Sequence, residues 1–162
     1  MNRFFLSALA VTFAALAAPS VQAVEPGRLE ITRATVLEAM NLYRAERNLP
    51  ALRGDQRLDL AAEDRMRDME EIGYWSHESP EGRSPFFWLA LRGYRFGFAG
   101  ENLAKGFETA EVLVDSWMES KGHRENIMSA NYADCGIAII EGSTTGKASG
   151  KSIVVLFGAL LE

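Results

Sequence analysis

The sequence predicts an α+β fold in which helices pack against a mostly antiparallel sheet. Amphipathic helical segments occupy most of residues 35–122, whereas two apolar runs typical of strands, Gly136–Ile140 and Ile153–Phe157, come near the end. Gly-, Ser- and Thr-rich residues 141–151 join these two runs and predict a hairpin with a long loop. Helices early in a chain and strands late are typical of α+β layering.

The first 23 residues are predicted to be a signal peptide. Arg3 supplies a positive charge before the apolar run 4–18, which is shorter than the about 20 residues that a membrane-spanning helix needs. Val21 and Ala23 are small residues at positions −3 and −1 of a cleavage site after Ala23. We therefore expect an exported protein, periplasmic or secreted, with no stable membrane span and a single domain over residues 24–162.

Two long helices are predicted before residue 74. The first begins at Thr35, whose spacing from Glu38 is that of a capping box, and ends before Pro50. The second has Asp55 as its N-cap and ends at Gly73. Its apolar residues form one stripe: Leu58, Ala62, Met66, Met69 and Ile72. The acidic residues of this helix fall mostly off the stripe, so we interpret them as a solvated face rather than a metal site.

Two shorter helices and a strand follow. Ser84 is predicted to cap the third helix, with Pro85 as its first residue. A strand is expected over residues 96–104. Thr109 is predicted to cap the fourth helix, and Gly122 to end it.

The composition excludes several classes of protein. With 48% hydrophobic and 24% charged residues the chain is close to an average soluble domain, and its net charge of −5 comes without a basic block that could bind nucleic acid. Cys135 is the only cysteine, so no disulfide can form within the chain. We interpret Cys135 as a buried thiol rather than a nucleophile, because no His or Lys adjoins it to lower its pKa.

The candidate chemistry lies in the only two histidines, His77 and His123, and in the carboxylate of Glu101 between them. All three lie in polar or turn-rich segments, where binding groups concentrate. Neutral imidazoles beside a carboxylate suit a divalent metal or proton transfer. Nothing in the spacing brings the histidines together, so separate structural roles are the alternative. Gly100 and Gly122 are interpreted as turn residues that place Glu101 and His123.

Several segments of the chain resemble, in their order, motifs of one family, the CAP superfamily of cysteine-rich secretory proteins, antigen 5 and pathogenesis-related 1 proteins. The resemblance is to its cysteine-poor bacterial SCP-like branch. The segments are N-L-Y-R-A-E-R (41–47), S-H-E-S-P-E-G-R-S-P (76–85), G-Y (93–94), A-G-E-N-L-A (99–104) and W-M-E-S-K-G-H-R-E-N-I-M (117–128). Together they span nearly the whole predicted domain.

The resemblance implies a three-layer α-β-α sandwich whose central cleft holds a tetrad of histidines and glutamates. His77, Glu101 and His123 match three members of this tetrad. The fourth glutamate of the family lies three residues after the motif's tryptophan, where this chain has Ser120. Glu119 is the candidate one position earlier, and such a shift rotates a side chain by about 100° around a helix.

Two functions follow as hypotheses from the resemblance. The first is an exported CAP-domain binding protein in which His77, His123 and Glu101 hold a divalent cation, with Zn²⁺ as the first candidate, beside a lipid, glycan or protein ligand. The alternative is a metal-dependent hydrolase, a peptidase or esterase, in which the metal activates water and Glu101 acts as base or third ligand. A serine hydrolase using Ser76 or Ser120 is a third possibility; residues adjacent on an extended segment point opposite ways, which disfavours pairing Ser76 with His77.

Overall fold

The structure, a computed structural model, describes residues 29–142 and 150–161. The predicted signal peptide and most of the predicted hairpin loop lie outside these residues. Within the described ranges no helix is both long and apolar enough to span a bilayer.

The described residues form five helices and four strands. The helices are α1 (Arg33–Glu46), α2 (Gln56–Ile72), α3 (Phe86–Leu91), α4 (Ala110–Glu119) and α5 (Lys121–Ile127). The strands are β1 (Arg53–Gly54), β2 (Phe96–Phe107), β3 (Asp134–Glu141) and β4 (Lys151–Leu160).

The four strands form one sheet in the order β1-β3-β4-β2. The strand β4 pairs antiparallel with both β2 and β3, as the sequence predicts for the C-terminal hairpin. The short strand β1 pairs parallel with β3 through Arg53 opposite Asp134, so the sheet is mixed although mostly antiparallel. A strand of two residues is too short to show the alternation of apolar and polar residues, so the sequence does not predict β1.

Two apolar cores lie on opposite faces of the sheet and make the predicted three layers. Successive residues of β4 point to opposite faces. Ile153, Val155 and Phe157 enter the core shared with α1 and α4. Val154 and Leu156 enter the core shared with α2 and α3.

Two residues of β3, Cys135 and Gly136, are tightly packed in the interior. A Cβ at Gly136 would lie 2.0 Å from the main-chain carbon of Leu58, so α2 packs directly against this glycine. Cys135 is 1% exposed. Burial raises the pKa of its thiol to about 12, which confirms the interpretation of a buried residue rather than a nucleophile.

The ends of the two long helices follow local capping chemistry. The predicted start of α1 at Thr35 is wrong: Thr32 is the N-cap, and Thr32 and Thr35 exchange side-chain to main-chain hydrogen bonds of 3.1 and 2.9 Å. The helix therefore begins about one turn earlier. The predicted caps of α2 are confirmed, since Asp55 accepts from the Arg57 amide at 2.8 Å and Gly73 is left-handed with φ of 79°.

Two other helix boundaries differ from prediction. Pro85, not Ser84, takes the N-cap position of α3, with helical φ and ψ of −60° and −21° and no side-chain cap. Gly122 does not end α4. That helix stops at Glu119 because Ser120 is extended, with φ of −85° and ψ of 123°, and Gly122 lies inside α5.

The outer edge of β2 is covered by side chains. Three alternating carbonyls of this strand accept hydrogen bonds from donors in α4, α5 and the loop after α5: Ala99 O from Tyr132 Oη (3.0 Å), Glu101 O from Asn126 Nδ2 (3.0 Å) and Leu103 O from Trp117 Nε1 (3.3 Å). Alternation is expected of groups that face away from the partner strand. The strand that carries Glu101 is thereby tied to the helix that carries His123.

Gly100 makes this approach possible. The sequence interpretation of Gly100 as a turn residue is wrong, because it lies within β2. A Cβ at this position would lie 2.6 Å from Tyr132 Oη and 2.8 Å from Asn126 Oδ1, distances that side-chain carbons do not tolerate. A glycine is therefore needed here for close packing rather than for a turn.

Candidate functional site

Three of the four predicted site residues meet at β2. His77 comes from the loop between α2 and α3, Glu101 from the middle of β2, and His123 from the first turn of α5. The two imidazoles lie close enough that the charge of His77 lowers the pKa of His123. The topology thus unites residues far apart in sequence.

His77 and Glu101 form a hydrogen-bonded pair. His77 Nδ1 lies 2.8 Å from Glu101 Oε1. The Glu101 side chain is 2% exposed, whereas that of His77 is 61% exposed. This hydrogen bond is the main cause that raises the pKa of His77 above its ordinary value. Because an ionised carboxylate only accepts, Nδ1 carries the hydrogen and Nε2 is the nitrogen left for other partners.

The second oxygen of Glu101 binds a buried guanidinium. Arg65 Nε donates to Glu101 Oε2 at 3.0 Å, and the Arg65 side chain is fully buried. Both carboxylate oxygens of Glu101 are therefore engaged. Arg65 is not among the residues predicted from the sequence, where only the acidic residues of α2 are interpreted, as a solvated face. Its spacing of three after Ala62 and four before Met69 puts Arg65 beside the apolar stripe, and this is the signal that could have found it.

A network of side chains continues from Arg65 to the loop before His77. Arg65 Nη1 donates to the Tyr74 hydroxyl, and Nη2 donates to the Ser76 carbonyl. The Tyr74 hydroxyl in turn donates to Asp68. Burial, together with this hydrogen bond, raises the pKa of Tyr74 to about 12.

His123 lies in a different environment. Its imidazole is half-buried, and its ring centroid lies 6.2 Å from that of Trp117. Its main-chain carbonyl accepts from Asn102 Nδ2 at 3.1 Å, and Asn102 Oδ1 accepts from Asn126 Nδ2 at 2.9 Å. Burial is the first cause that lowers the pKa of His123, followed by the charge of His77. Both effects favour the neutral form of the imidazole.

Glu119 is not brought into the cleft. It is exposed on α4, one turn after Asp115, which accepts a hydrogen bond from the Tyr43 hydroxyl of α1 at 2.7 Å. The pKa of Tyr43 is raised first by its hydrogen bond to Asp115 and also by the negative charge of Glu119. The one-residue shift from the family pattern therefore places this carboxylate next to α1, and Ser120, at the family's position, is the N-cap of α5.

The cleft supplies two imidazoles rather than a complete ligand set. Among residues 29–142 and 150–161, no three His, Cys, Asp or Glu side chains form a group that could hold a metal ion. Ser76, the residue beside His77, has its Oγ 3.4 Å from the amide of Glu78.

A separate cavity lies on the other side of α5. Its volume is about 370 Å³, and its lining consists of Arg47, Leu49, Met118, Arg124, Glu125 and Met128. Neither histidine lines it. Its lining combines three apolar side chains with two guanidinium groups and the carboxylate of Glu125.

Comparisons with known proteins agree with the motifs. Residues 37–157 match the cysteine-rich secretory protein family, CAP. The chain is 35% identical over 116 residues to the protein YkwD of Bacillus subtilis, a match that covers 72% of this chain and 45% of YkwD. It is 30% identical over 104 residues to the membrane protein YlbC of the same organism, covering 64% of this chain and 30% of YlbC. The chain thus spans less than half the length of each of these relatives.

Solved structures show the same fold. An extracellular protein containing an SCP domain from Bacillus anthracis superposes with a TM-score of 0.65 at 26% identity, over 77% of this chain and 39% of that one. An outer surface protein of Borrelia burgdorferi gives 0.69 at 21% identity, over 83% of this chain and all of that one, and shows the fold alone. The family match covers most of the described residues, and the relatives are bacterial. The chain therefore belongs to the cysteine-rich secretory protein family, CAP, and to its bacterial SCP branch.

Proposed function

We propose that the protein is an exported binding module whose cleft holds a divalent cation between His77 and His123. The observation that carries this proposal is the 2.8 Å hydrogen bond between His77 Nδ1 and Glu101. Metal-binding histidines almost always donate their other ring N–H to a carboxylate or carbonyl, which fixes the ring and the tautomer. The pair has this arrangement, with Nε2 of an exposed imidazole left for the cation.

In this proposal Glu101 orients His77, which binds the cation, and does not bind the cation itself. Its two oxygens are taken by His77 and Arg65, at 2.8 and 3.0 Å. The donor set of two imidazoles suits Zn²⁺. Two protein ligands leave coordination positions open, as sites that accept an exogenous group do. An oxygen of the bound ligand would complete the coordination, so the cation would bridge the protein and its ligand.

The protonation of the imidazoles sets the pH range of cation binding. Burial lowers the pKa of His123, which favours the neutral form that a cation requires. His77 has a raised pKa through Glu101, so its proton competes with the cation first. Cation affinity should therefore weaken as the pH falls through the pKa of His77.

The lining of the cavity next to α5 favours a lipid over a glycan as the class of ligand. Leu49, Met118 and Met128 give it an apolar lining, and Arg47 and Arg124 can pair with an anionic head group. Arg124 directly follows His123, so a ligand seated in the cavity would lie next to the helix that carries the cation site. A fatty acid is the simplest probe of this chemistry.

Export is supported from two directions. The N-terminal 23 residues have the charge, apolar run and small residues of a signal peptide. The Bacillus anthracis relative, at 26% identity, is an extracellular protein. We extend that location to this chain.

Titration calorimetry with Zn²⁺, Mn²⁺ and Mg²⁺ tests the proposal. We expect His77→Ala and His123→Ala each to weaken Zn²⁺ binding, and the double variant to be little worse than the weaker single one. Glu101→Gln should weaken affinity about 10- to 100-fold, as loss of an orienting partner does. Glu119→Gln is the matched control and should bind as the parent does. A parent that binds none of the three cations at neutral pH, or two single histidine variants that bind normally, would overturn the proposal.

A metal-dependent hydrolase is the second candidate, favoured by the same pair. A histidine oriented by a buried carboxylate is the arrangement of a general base and its orienting group. The His77–Glu101 geometry meets that requirement. Turnover of peptide or ester libraries that is lost with chelator would favour the hydrolase, whereas ligand capture without turnover would favour the binding module.

A further inference from the structure

We propose that Arg65 is the positioning residue of the cleft: its guanidinium joins Glu101 to the peptide before His77 and so commits His77 Nδ1 to Glu101. The inference rests on the proposed function only for the role of His77 Nε2, which binds the cation in that proposal. The geometry itself requires no bound cation. The inference adds Arg65 to the site as a residue that contacts neither the ligand nor the cation.

The first part of the argument is the buried ion pair. The side chains of Arg65 and Glu101 are 0% and 2% exposed, and Arg65 Nε lies 3.0 Å from Glu101 Oε2. An isolated buried charge is strongly unfavourable, so each group needs the other. With Oε2 fixed by Arg65, Oε1 is the oxygen that faces His77.

The second part is that all three guanidinium nitrogens are used. Nε binds Glu101, Nη1 binds the Tyr74 hydroxyl and Nη2 binds the Ser76 carbonyl. Ser76 is the residue before His77. The rigid guanidinium of Arg65 therefore links the carboxylate of Glu101 to the peptide group that precedes His77. A lysine has a single ammonium on a flexible chain and cannot reproduce this geometry.

The third part is that the guanidinium plane cannot rotate freely. Its central carbon lies 4.8 Å from the centroid of the Trp88 ring and 5.3 Å from that of Tyr74. Asp68 approaches from the next turn of α2, with an oxygen 3.9 Å from Arg65 Nη1. Aromatic faces and a second carboxylate thus hold the fork in one orientation.

A second buried arginine gives a matched control. Arg44 is also 0% exposed, but among the described residues its donors reach main-chain carbonyls: Pro50, Ile127, Ser129 and Tyr132. Substituting Arg44 perturbs the fold without touching Glu101 or the loop before His77. A purely structural role for Arg65 predicts that both arginines behave alike.

The test measures the tautomer of His77 by ¹⁵N NMR on metal-free full-length protein, above the pKa of this residue. In the parent we expect Nδ1–H to dominate and its proton to be protected from exchange. Arg65→Gln should lower the ratio of Nδ1–H to Nε2–H by about tenfold or more, the change for losing a charge-assisted hydrogen bond. Arg65→Lys should lower it by less, and Arg44→Lys should leave it unchanged even where it lowers Tm.

A folded Arg65→Gln variant with the parental tautomer ratio would overturn the inference. If that variant does not fold, Arg65→Lys decides: an unchanged ratio would show that charge alone suffices and that the fork positions nothing. Zn²⁺ binding by the parent is measured separately, so the two proposals can fail independently. A parent without Zn²⁺ affinity but with an Arg65-dependent tautomer would remove the proposed function and leave this inference standing.

Discussion

The two histidines of the cleft lie in two groups of residues that differ in chemistry, here called the charged wall and the amide wall. The charged wall consists of Arg65, Tyr74, His77 and Glu101, and ion pairs and charged hydrogen bonds hold it together. The amide wall consists of Asn102, Trp117, His123 and Asn126, and neutral hydrogen bonds and ring packing hold it together. The pKa of His77 is raised mainly by its hydrogen bond to Glu101, and that of His123 is lowered by burial and then by the charge of His77.

The difference shows that exposure alone does not set the protonation of these residues. His77 is the more exposed of the two, with 61% of its side chain accessible. Its pKa is nevertheless raised, mainly because Glu101 accepts a hydrogen bond from its Nδ1–H. His123 has its pKa shifted mainly because burial disfavours the charged form. One fold therefore provides a proton-retaining and a proton-releasing imidazole side by side.

Removing the large ring of the amide wall should have the largest effect. Trp117 is 2% exposed and belongs to the core beneath His123. Trp117→Ala should lower the free energy of unfolding by about 3–5 kcal/mol, as emptying a large aromatic site does. Urea denaturation measures this loss, and Phe98→Ala, at a side chain that is 53% exposed, is the control. A loss below about 1 kcal/mol would remove Trp117 from the core.

A smaller change at Gly100 should separate the walls. Gly100→Ala introduces a Cβ 2.6 Å from Tyr132 Oη, which should cost about 1–3 kcal/mol and displace α5. NMR should show the His123 signals moving more than those of His77. The matched control is Gly122→Ala, inside α5 with no atom within 4 Å of the new Cβ, which should stabilise by about 0.5–1 kcal/mol. Equal shifts of both histidines in Gly100→Ala would mean that the walls are mechanically coupled.

Histidine titrations test the electrostatic contrast directly. In metal-free protein, NMR should place the pKa of His77 above 6.5 and that of His123 below it. His77 therefore contributes stability below pH 6.5 that is lost as the pH rises through its raised pKa. His123 contributes stability above pH 6.5 that is lost as the pH falls through its lowered pKa.

A variant sharpens the same titration. Glu101→Gln should bring the pKa of His77 back toward 6.5, because it removes the charge that favours the imidazolium, while the burial of His123 still keeps its pKa low. Midpoints in the opposite order in the parent protein would contradict the assignment of the two walls.

Chelator and reductant should have the smallest effect. Two apolar cores hold the described fold on either side of the sheet, and the single cysteine is buried as a thiol. EDTA or dithiothreitol should therefore leave Tm nearly unchanged in thermal unfolding followed by circular dichroism. Loss of the signal on adding chelator would mean that the cation is structural and that the cleft is part of the core.

The sequence predicts the helices best where periodicity and caps agree. In α2 the apolar stripe lies between Asp55 and Gly73, and both ends are confirmed. In α1 the spacing of Thr35 and Glu38 predicts a cap at Thr35, whereas Thr32 is the N-cap and Thr35 is the N3 residue of its capping box. The two residues of β1 are too few to show any period.

The candidate site is only partly readable from sequence. The motifs point to His77, Glu101 and His123, but the roles of Arg65 and Asn126 depend on residues more than 20 positions away. A charged residue on a helix is solvated in most contexts. The spacing of Arg65 beside the apolar stripe can indicate its burial, but Tyr74 and Trp88, which pack against it, lie outside the helix and are identified only by the structure.

The covered edge of β2 has a consequence for how the molecule meets its own copies. An open strand edge is a template on which another chain can add a strand, the first step of domain swapping and amyloid growth. Here three outward carbonyls of the strand are already bonded to side chains of Tyr132, Asn126 and Trp117. At the opposite edge β1 offers only two residues. The side chains that seat α5 against β2 therefore also occupy carbonyls that a strand added at this edge would need.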